Sequence, residues 1–311
     1  MVEKRPVGTS GIEVAPLALG GNVFGWTADE ATSFRILDAF VDAGGTMIDT
    51  ADVYSAWVPG HSGGESESVI GRWLRQSGKR ARVVIATKVG MAAGLAPETV
   101  AAACDSSLQR LGVDCIDLYY QHKDDESVPL ADSLGAFDRL VEAGKVRAIG
   151  LSNFTPGRLD EAMESARRHG LTAPTALQTW YNLVERDKFE GELRDAALGN
   201  GLAVFPFYAL ANGFLTGKYR SREDLGKSPR GLRNIDYLEG KGKRVLAALD
   251  EVAAGTGAAL ATVALAWTMA QPGVTAPIAS ATSLEQLSEL VAALELELSP
   301  AQVERLNAAS A

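Results

Sequence analysis

Three observations predict an α/β fold, a (β/α)8 barrel that forms a single domain over residues 1–311. Short apolar runs alternate with helix-length amphipathic segments along the chain, the pattern of parallel strands joined by crossover helices. The 311 residues suffice for one barrel of about 250 residues with insertions, and no Pro/Ser-rich linker, charge block or low-complexity tract divides them. A doubly wound dinucleotide-binding sheet would need a G-x-G-x-x-G turn after its first strand. None is present: Gly20-Gly21 followed by Gly25 has the wrong spacing, and Gly213 to Lys218 lacks the glycines of a phosphate loop. A nucleotide, if bound, must lie extended across the barrel mouth.

Apolar positions alternate around Thr9-Ser10-Gly11, which predicts a hairpin feeding a first barrel strand near Ala15 to Leu19. A helix over Asp29 to Ala43 carries Phe34, Leu37, Phe40 and Val41 at helical spacing and stops at Gly44-Gly45. It leads into "GTMIDTADVY". Glu65 to Arg75, with Val69, Ile70, Trp73 and Leu74 on one face, precedes "VVIATKVG". Pro97 suits a first helical position and Gly112 a stop, with "DLYYQHKDD" beyond. Leu130 to Ala143 leads to "VRAIGLS", Arg158 to Arg168 to "TALQTW", and a helix from Arg194 closed by Gly201 to "LAVFPF". Two helices, Lys243 to Ala254 and Ala259 to Met269, come before the last strand "APIA". Two more, Ser283 to Leu294 and Pro300 to Ala309, close the chain.

Composition narrows the function classes. The amino terminus has no apolar core of a leader, and no run approaches the ~20 apolar residues that span a bilayer, so a cytoplasmic protein without membrane contact is expected. A net charge of −9 argues against nucleic acid or an anionic membrane as partner. The two cysteines, Cys104 and Cys115, have no partners for a metal set and read as small core residues; no metal is expected. One stretch departs from the acidic balance. Between Gly217 and Arg244, nine basic residues face four acidic ones, which fits either a solvated loop or an anion-binding site.

Four polar groups fall at successive strand ends: Asp49 and Tyr54, then Lys88, then His122. Singly, each has an ordinary structural role, as a loop cap, a loop aromatic, a snorkelling lysine or a satisfied histidine. Together at the carboxyl ends of barrel strands they face one mouth, where barrel active sites lie. A phenol ordinarily titrates near pH ~10; an adjacent ammonium, itself held charged by a carboxylate, is expected to favour the phenolate and make Asp49–Lys88–Tyr54 a tuned proton relay. His122 is placed to orient a carbonyl. Hydride must then come from a cofactor.

The motifs "IDTADVY", "ATK", "QHKD", "IGLSNF", "LQTWYNL", "GFLTGKY" and "PIASATSLEQL", in this order and nearly end to end, resemble the aldo-keto reductase superfamily, in its bacterial branch related to potassium-channel β subunits. The resemblance implies a barrel that binds NADPH without a Rossmann fold and a catalytic tetrad of Asp49, Tyr54, Lys88 and His122, with tyrosine as general acid. It places Gly20, Gly21 and Asn22 beside the nicotinamide ribose, Gly21 standing where threonine is frequent. Ser152, Asn153 and Gln178 match the groups that hold the carboxamide, and Phe207 the aromatic that stacks on the nicotinamide. Tyr208, Leu210 and Gly213 continue along the pyrophosphate, with Lys218 as its cation and Arg230 as the basic residue over the cofactor. Ser280, Thr282, Gln286 and Glu289 match the adenosine end. Gln286 stands where other branches have arginine and Leu290 where the related group has asparagine, so weaker 2′-phosphate recognition is expected.

The expected reaction is reversible NADPH-dependent reduction of an aldehyde or ketone, on a small-molecule carbonyl substrate. Two rivals stay open: a cofactor-occupied sensor with little turnover, and an aldolase with Lys88 as Schiff base, against which the carboxylate partner of Lys88 argues. The expected substrate wall comprises Trp26, Tyr54, Trp57, Val58, Trp180 and Tyr181. Its aromatic lining suits a hydrophobic or sugar-like carbonyl compound.

Overall fold

The computed structural model describes residues 2–311. An antiparallel hairpin, β1 (Arg5–Pro6) and β2 (Glu13–Val14), precedes eight parallel strands. These are β3 (Ala18–Gly20), β4 (Met47–Asp49), β5 (Val84–Val89), β6 (Ile116–Gln121), β7 (Val146–Ser152), β8 (Ala176–Trp180), β9 (Ala203–Phe207) and β10 (Ile278–Ala279). They pair in chain order with β10 against β3, and a parallel bridge from Val204 to Val274 closes the ring.

The helices that cover this ring are α1 (Glu30–Asp42), α2 (Glu65–Ser77), α3 (Pro97–Leu111), α4 (Leu130–Glu142), α5 (Pro156–His169), α6 (Glu192–Gly199), α7 (Gly240–Thr256), α8 (Leu260–Met269), α9 (Leu284–Val291) and α10 (Pro300–Ser310). Their ends follow local chemistry. Asp29 caps α1 by accepting from the Thr32 N–H at 2.8 Å, and Pro97 opens α3, where its missing N–H costs nothing. Gly112 closes α3 in the left-handed conformation, its N–H donating to the Leu108 carbonyl. Ser299 and Gln302 form a reciprocal capping box on α10. No single helix among the described residues is long and apolar enough to cross a membrane; α8 is apolar all round because the fold buries it on every side.

The barrel interior obeys a period of two. Ala18, Met47, Val84, Ala86, Leu118, Tyr120, Ala148, Ala176, Ala203, Phe205, Ala276 and Ile278 fill it, and Val7, Ile12 and Val14 of the hairpin region join the same cluster, plugging its amino-terminal end. Residues of the other parity, such as Ile48, Ile85, Tyr119, Ile149 and Val204, pack outward under the helices. Gly150 is glycine for a packing reason: a Cβ there would lie 2.3 Å from the Tyr120 ring. The first barrel strand starts later than Ala15, because the Ala15 N–H is taken by the Thr46 hydroxyl at 2.7 Å and Pro16 has no N–H to donate. Cys104 is buried, with burial pushing its thiol up to about 12, while Cys115 is only half-buried rather than a core residue.

Candidate active site

Carrying the interior parity one step further along each strand, to its carboxyl end, reaches Gly20, Asp49, Lys88, His122, Ser152, Gln178, Phe207 and Ser280. Register brings neighbours side by side, Gly20 against Asp49 and Ser152 against Gln178. The barrel geometry therefore gathers these groups at one mouth.

At its centre, the Lys88 ammonium is 0% exposed and donates to Asp49 Oδ2 at 2.7 Å, to the Thr50 carbonyl at 2.6 Å and towards the Tyr54 hydroxyl at 3.4 Å. Gln178 donates to the other oxygen of Asp49 at 2.8 Å. Desolvation works to lower the pKa of Lys88, yet Asp49 and Tyr54 outweigh it and hold the ammonium above its ordinary value. The tuning of Tyr54 runs opposite to the expectation of a favoured phenolate. Burial pushes its phenol above the ordinary value and Lys88 pulls it back only in part, so the hydroxyl keeps its proton near neutrality. The His122 ring lies edge-on to Tyr54, centroids 6.0 Å apart. Burial and then the Lys88 charge drive it down to about 3, which makes it a neutral imidazole. Its Nδ1 has no partner among the described residues.

An aromatic wall rises beside the phenol. Trp57 meets Tyr54 edge-on at 5.7 Å and Trp26 meets Trp57 at 5.6 Å, and Trp57 is 47% exposed. Val58 lies in the same loop as Trp57, half-buried. Trp180 packs against Phe207 and Tyr208 at 6.1 and 4.7 Å. Tyr181 does not belong to this wall. It has the outward parity of β8, so its ring packs against Phe189 and Trp267 under the helices and its hydroxyl donates to Glu190 at 2.6 Å.

A profile described as "Aldo/keto reductase family" matches residues 16–311. The chain belongs to the aldo/keto reductase family. It is 35% identical over 98% of its length to "Uncharacterized oxidoreductase YrpG" of Bacillus subtilis, covering 95% of that protein. It is 33% identical to "Norsolorinic acid reductase stcV" of Emericella nidulans, over 94% of this chain and 78% of that one. It is 30% identical to "Aldo-keto reductase yakc [NADP(+)]" of Schizosaccharomyces pombe, over 92% and 84%. As an aldo-keto reductase it is an oxidoreductase of a family that acts on small carbonyl compounds with a nicotinamide cofactor.

The rest of the mouth of this aldo-keto reductase fits such a dinucleotide. Buried polar atoms without partners among the described residues cluster there: Trp180 Nε1 and Asn212 Oδ1 besides His122 Nδ1. The backbone after β9 turns tightly through positive φ at Tyr208, Ala211, Asn212 and Gly213, with the Ala211 and Gly213 N–H groups donating to the Tyr208 and Leu210 carbonyls at 2.7 and 2.9 Å. A Cβ added at Gly213 would lie 3.0 Å from Lys218 Nζ, so the ammonium overhangs this turn, with Leu210 half-buried at its start. In barrels of this class phosphate sites form at the loops after the seventh and eighth strands, here β9 and β10. After β10, Ser280 donates to Asn22 at 2.7 Å, and Gln286 accepts from the Thr282 N–H and hydroxyl at 2.9 and 3.1 Å. Gln286 and Glu289 are exposed on α9 while Leu290 is buried in the core.

Some residues take positions that their motifs did not foretell. Asn153, at φ 56°, donates to the His122 carbonyl at 2.8 Å and to the Ser152 hydroxyl at 3.1 Å, tying the end of β7 to the residue that follows β6. Gly21 has no room for threonine, since a Cβ would lie 2.9 Å from the Ser66 hydroxyl and 3.1 Å from the Asp49 carbonyl. Arg230, expected over the cofactor, stacks on Trp26, its guanidinium carbon 5.2 Å from the ring centre. Three contributors were missed altogether. The Thr50 carbonyl completes the lysine's shell, and Ser66 bridges Thr50 and the Gly21 carbonyl at 2.8 Å each. Asp52, behind Lys88, is raised by burial and then by Glu67 to about 6. A backbone carbonyl has no sequence signature, but the hydroxyl of Ser66, opening an amphipathic helix just past "DTADVY", was a signal available to sequence reading.

Proposed function

We propose that this aldo-keto reductase reduces an aldehyde or ketone to the alcohol with NADPH, reversibly, and that Tyr54 delivers the proton. The observation that carries the reading is the Asp49–Lys88–Tyr54 ladder beside a neutral His122. Tyr54 donates its proton to the carbonyl oxygen as negative charge develops there. Lys88 then stabilises the phenolate left behind, and Asp49 with the Thr50 carbonyl keeps that ammonium charged and fixed in place. His122, neutral, donates a hydrogen bond to the same oxygen in the tautomer that carries the proton on the ring nitrogen facing it, without competing as an acid.

Bound NADPH supplies the hydride that the carbonyl carbon accepts. Ser152, Asn153 and Gln178 are the residues to hold its carboxamide, Phe207 its ring face, and Gly20, Gly21 and Asn22 the adjoining ribose. Tyr208, Leu210, Gly213 and Lys218 are assigned to the pyrophosphate, Arg230 as a further cation over the cofactor, and Ser280, Thr282, Gln286 and Glu289 to the adenosine end. Trp26, Trp57, Val58 and Trp180 line the substrate side.

The deciding experiment is steady-state oxidation of NADPH with a panel of aldehydes and ketones, alongside direct titration of NADPH by tryptophan fluorescence. Turnover of several members supports the reading. Tight NADPH binding with no member reduced would reject it in favour of a cofactor-occupied sensor.

A further inference from the structure

Tyr54 is not held by the barrel strands themselves. β4 ends at Asp49, and the chain then runs through turns as far as Glu65, where α2 begins. The phenol oxygen lies 3.4 Å from Lys88 Nζ, near the limit of a hydrogen bond, so a small displacement of this loop would part the two. The reach of the proton donor therefore depends on what fixes the loop.

One carboxylate gathers it. Glu65 Oε2 accepts from the N–H groups of Ser55 and Gly63 at 3.1 Å each, and Oε1 from those of Ser62 and Gly63 at 2.9 and 3.3 Å. The Tyr54 carbonyl, the other polar group of the peptide unit that carries the Ser55 N–H, accepts from the Gly64 N–H at 2.9 Å. Both sides of that peptide are thus bonded to the start of α2. The buried Ser55 hydroxyl meets His61 Nδ1 at 2.9 Å and closes the loop on itself. α2 is a firm anchor, because Val69, Ile70, Trp73 and Leu74 bury one face of it. Burial works to raise the Glu65 carboxyl, but the N–H groups it accepts from and the neighbouring His61 outweigh that and hold it below the ordinary carboxylate range. The contacts are then charge-assisted, the stronger kind.

We propose that Glu65 is a positioning residue of the reaction, which passes the rigidity of α2 to Tyr54 and keeps the phenol in reach of Lys88. The inference rests on the reading of Tyr54 as proton donor and adds a residue that acts through it. A displacement of about 1 Å at a reacting group can cost ~10²-fold in rate, so the brace bears on kcat. Loop stability alone would make a different prediction, a lower Tm with the chemical step unchanged.

The test measures kcat and KM for an aldehyde that the wild type reduces, in ordinary and heavy water, for Glu65→Gln and Glu65→Ala, each with Tyr54 and with Tyr54→Phe. With Tyr54 present, Glu65→Ala should lower kcat by about tenfold or more while NADPH affinity is retained. Glu65→Gln keeps one acceptor oxygen and should lose less. The solvent isotope effect on kcat should rise, because proton delivery becomes the slow step. With Tyr54→Phe, replacing Glu65 should cost nothing further, since residues that act as one unit are not additive. An unchanged kcat, a loss confined to KM, an unchanged isotope effect or the same loss in both backgrounds would overturn the proposal. Should Glu65→Ala not fold, Glu65→Gln carries the same comparison. A second arm needs no turnover. Amide hydrogen exchange should quicken in the Glu65 variants at Ala56 and Val58, whose own acceptors, the Val53 and Ser55 carbonyls, the substitution leaves in place. If the wild type reduces no aldehyde but this exchange quickens, the reductase reading fails while the brace stands; if exchange is unchanged, the brace itself fails.

Discussion

At the residue scale, the site works by holding each group in a chosen protonation state. Tyr54→Phe keeps the ring but removes the proton, so carbonyl reduction should fall by ~10²-fold or more while NADPH affinity, read by fluorescence titration, is retained. Wild-type turnover by this variant would take Tyr54 out of the mechanism. Lys88→Met should be as severe for activity, and it strands the buried Asp49 without its cation, so urea unfolding should show a loss of about 3–5 kcal/mol. His122 carries a pH signature. Its native value of about 3 lies below the ordinary 6.5, so between the two the unfolded chain binds more protons than the native one. Stability is then intact above about 6.5 and declines as pH falls towards about 3, by up to about 3 kcal/mol near pH ~4. His122→Gln should lack that part of the decline in urea titrations at successive pH values. Asp52 titrates in the opposite sense, but it is common to both proteins and cancels in the comparison. Equal acid losses in both would mean that the imidazole is solvated.

At the scale of elements, the period-two pattern that fills the barrel also aims the site, and the same pattern exposes an error of residue reading. Gln178 and Trp180 share the inward parity of β8, and Tyr181, one step on, points out to Phe189 and Trp267. Counting alternation from Ala176 would have excluded it from the substrate wall without any coordinates. Helix limits at α3 and the span of β7 were legible because Pro97 and Gly112 mark the helix ends and the apolar segment Val146–Ser152 follows directly on the Gly144 stop of α4. The stretch from Lys218 to Leu238 was not, since its two short 3-10 segments have no periodicity and are held by single contacts such as Tyr219 with Ser228 at 2.6 Å and Tyr237 with Glu185 at 2.8 Å. Packing inside the barrel gives a further prediction. Gly150→Ala forces a methyl to within 2.3 Å of the Tyr120 ring, and overpacking of this kind costs about 1–3 kcal/mol. Thermal unfolding should show it, and Tyr120→Leu in the same background should relieve part of the loss; an unchanged Tm would show that β6 and β7 yield freely.

At the scale of the whole molecule, a chain of net charge −9 gathers basic groups at one mouth, where dinucleotide phosphates are assigned. Gln286 is neutral and accepts from Thr282, so it offers a 2′-phosphate its amide N–H groups and no charge, and preference for NADPH over NADH should be modest. Gln286→Arg should raise the ratio of the NADH to the NADPH dissociation constant, by about tenfold for a charge-assisted contact, with the gain shrinking in high salt. No change in the ratio would place the 2′-phosphate elsewhere. The sequence by itself determined the alternation of strands and helices, hence the barrel, and the polar residues at successive strand ends, because both depend on spacing along the chain and on local stop signals. Only the tertiary structure decided what those residues do to one another. The neutral phenol of Tyr54, the Thr50 carbonyl on Lys88, the Asn153 tie to His122 and the parking of Arg230 on Trp26 depend on burial and on contacts between loops far apart in sequence. Desolvation and through-space charge have no period that a sequence could display.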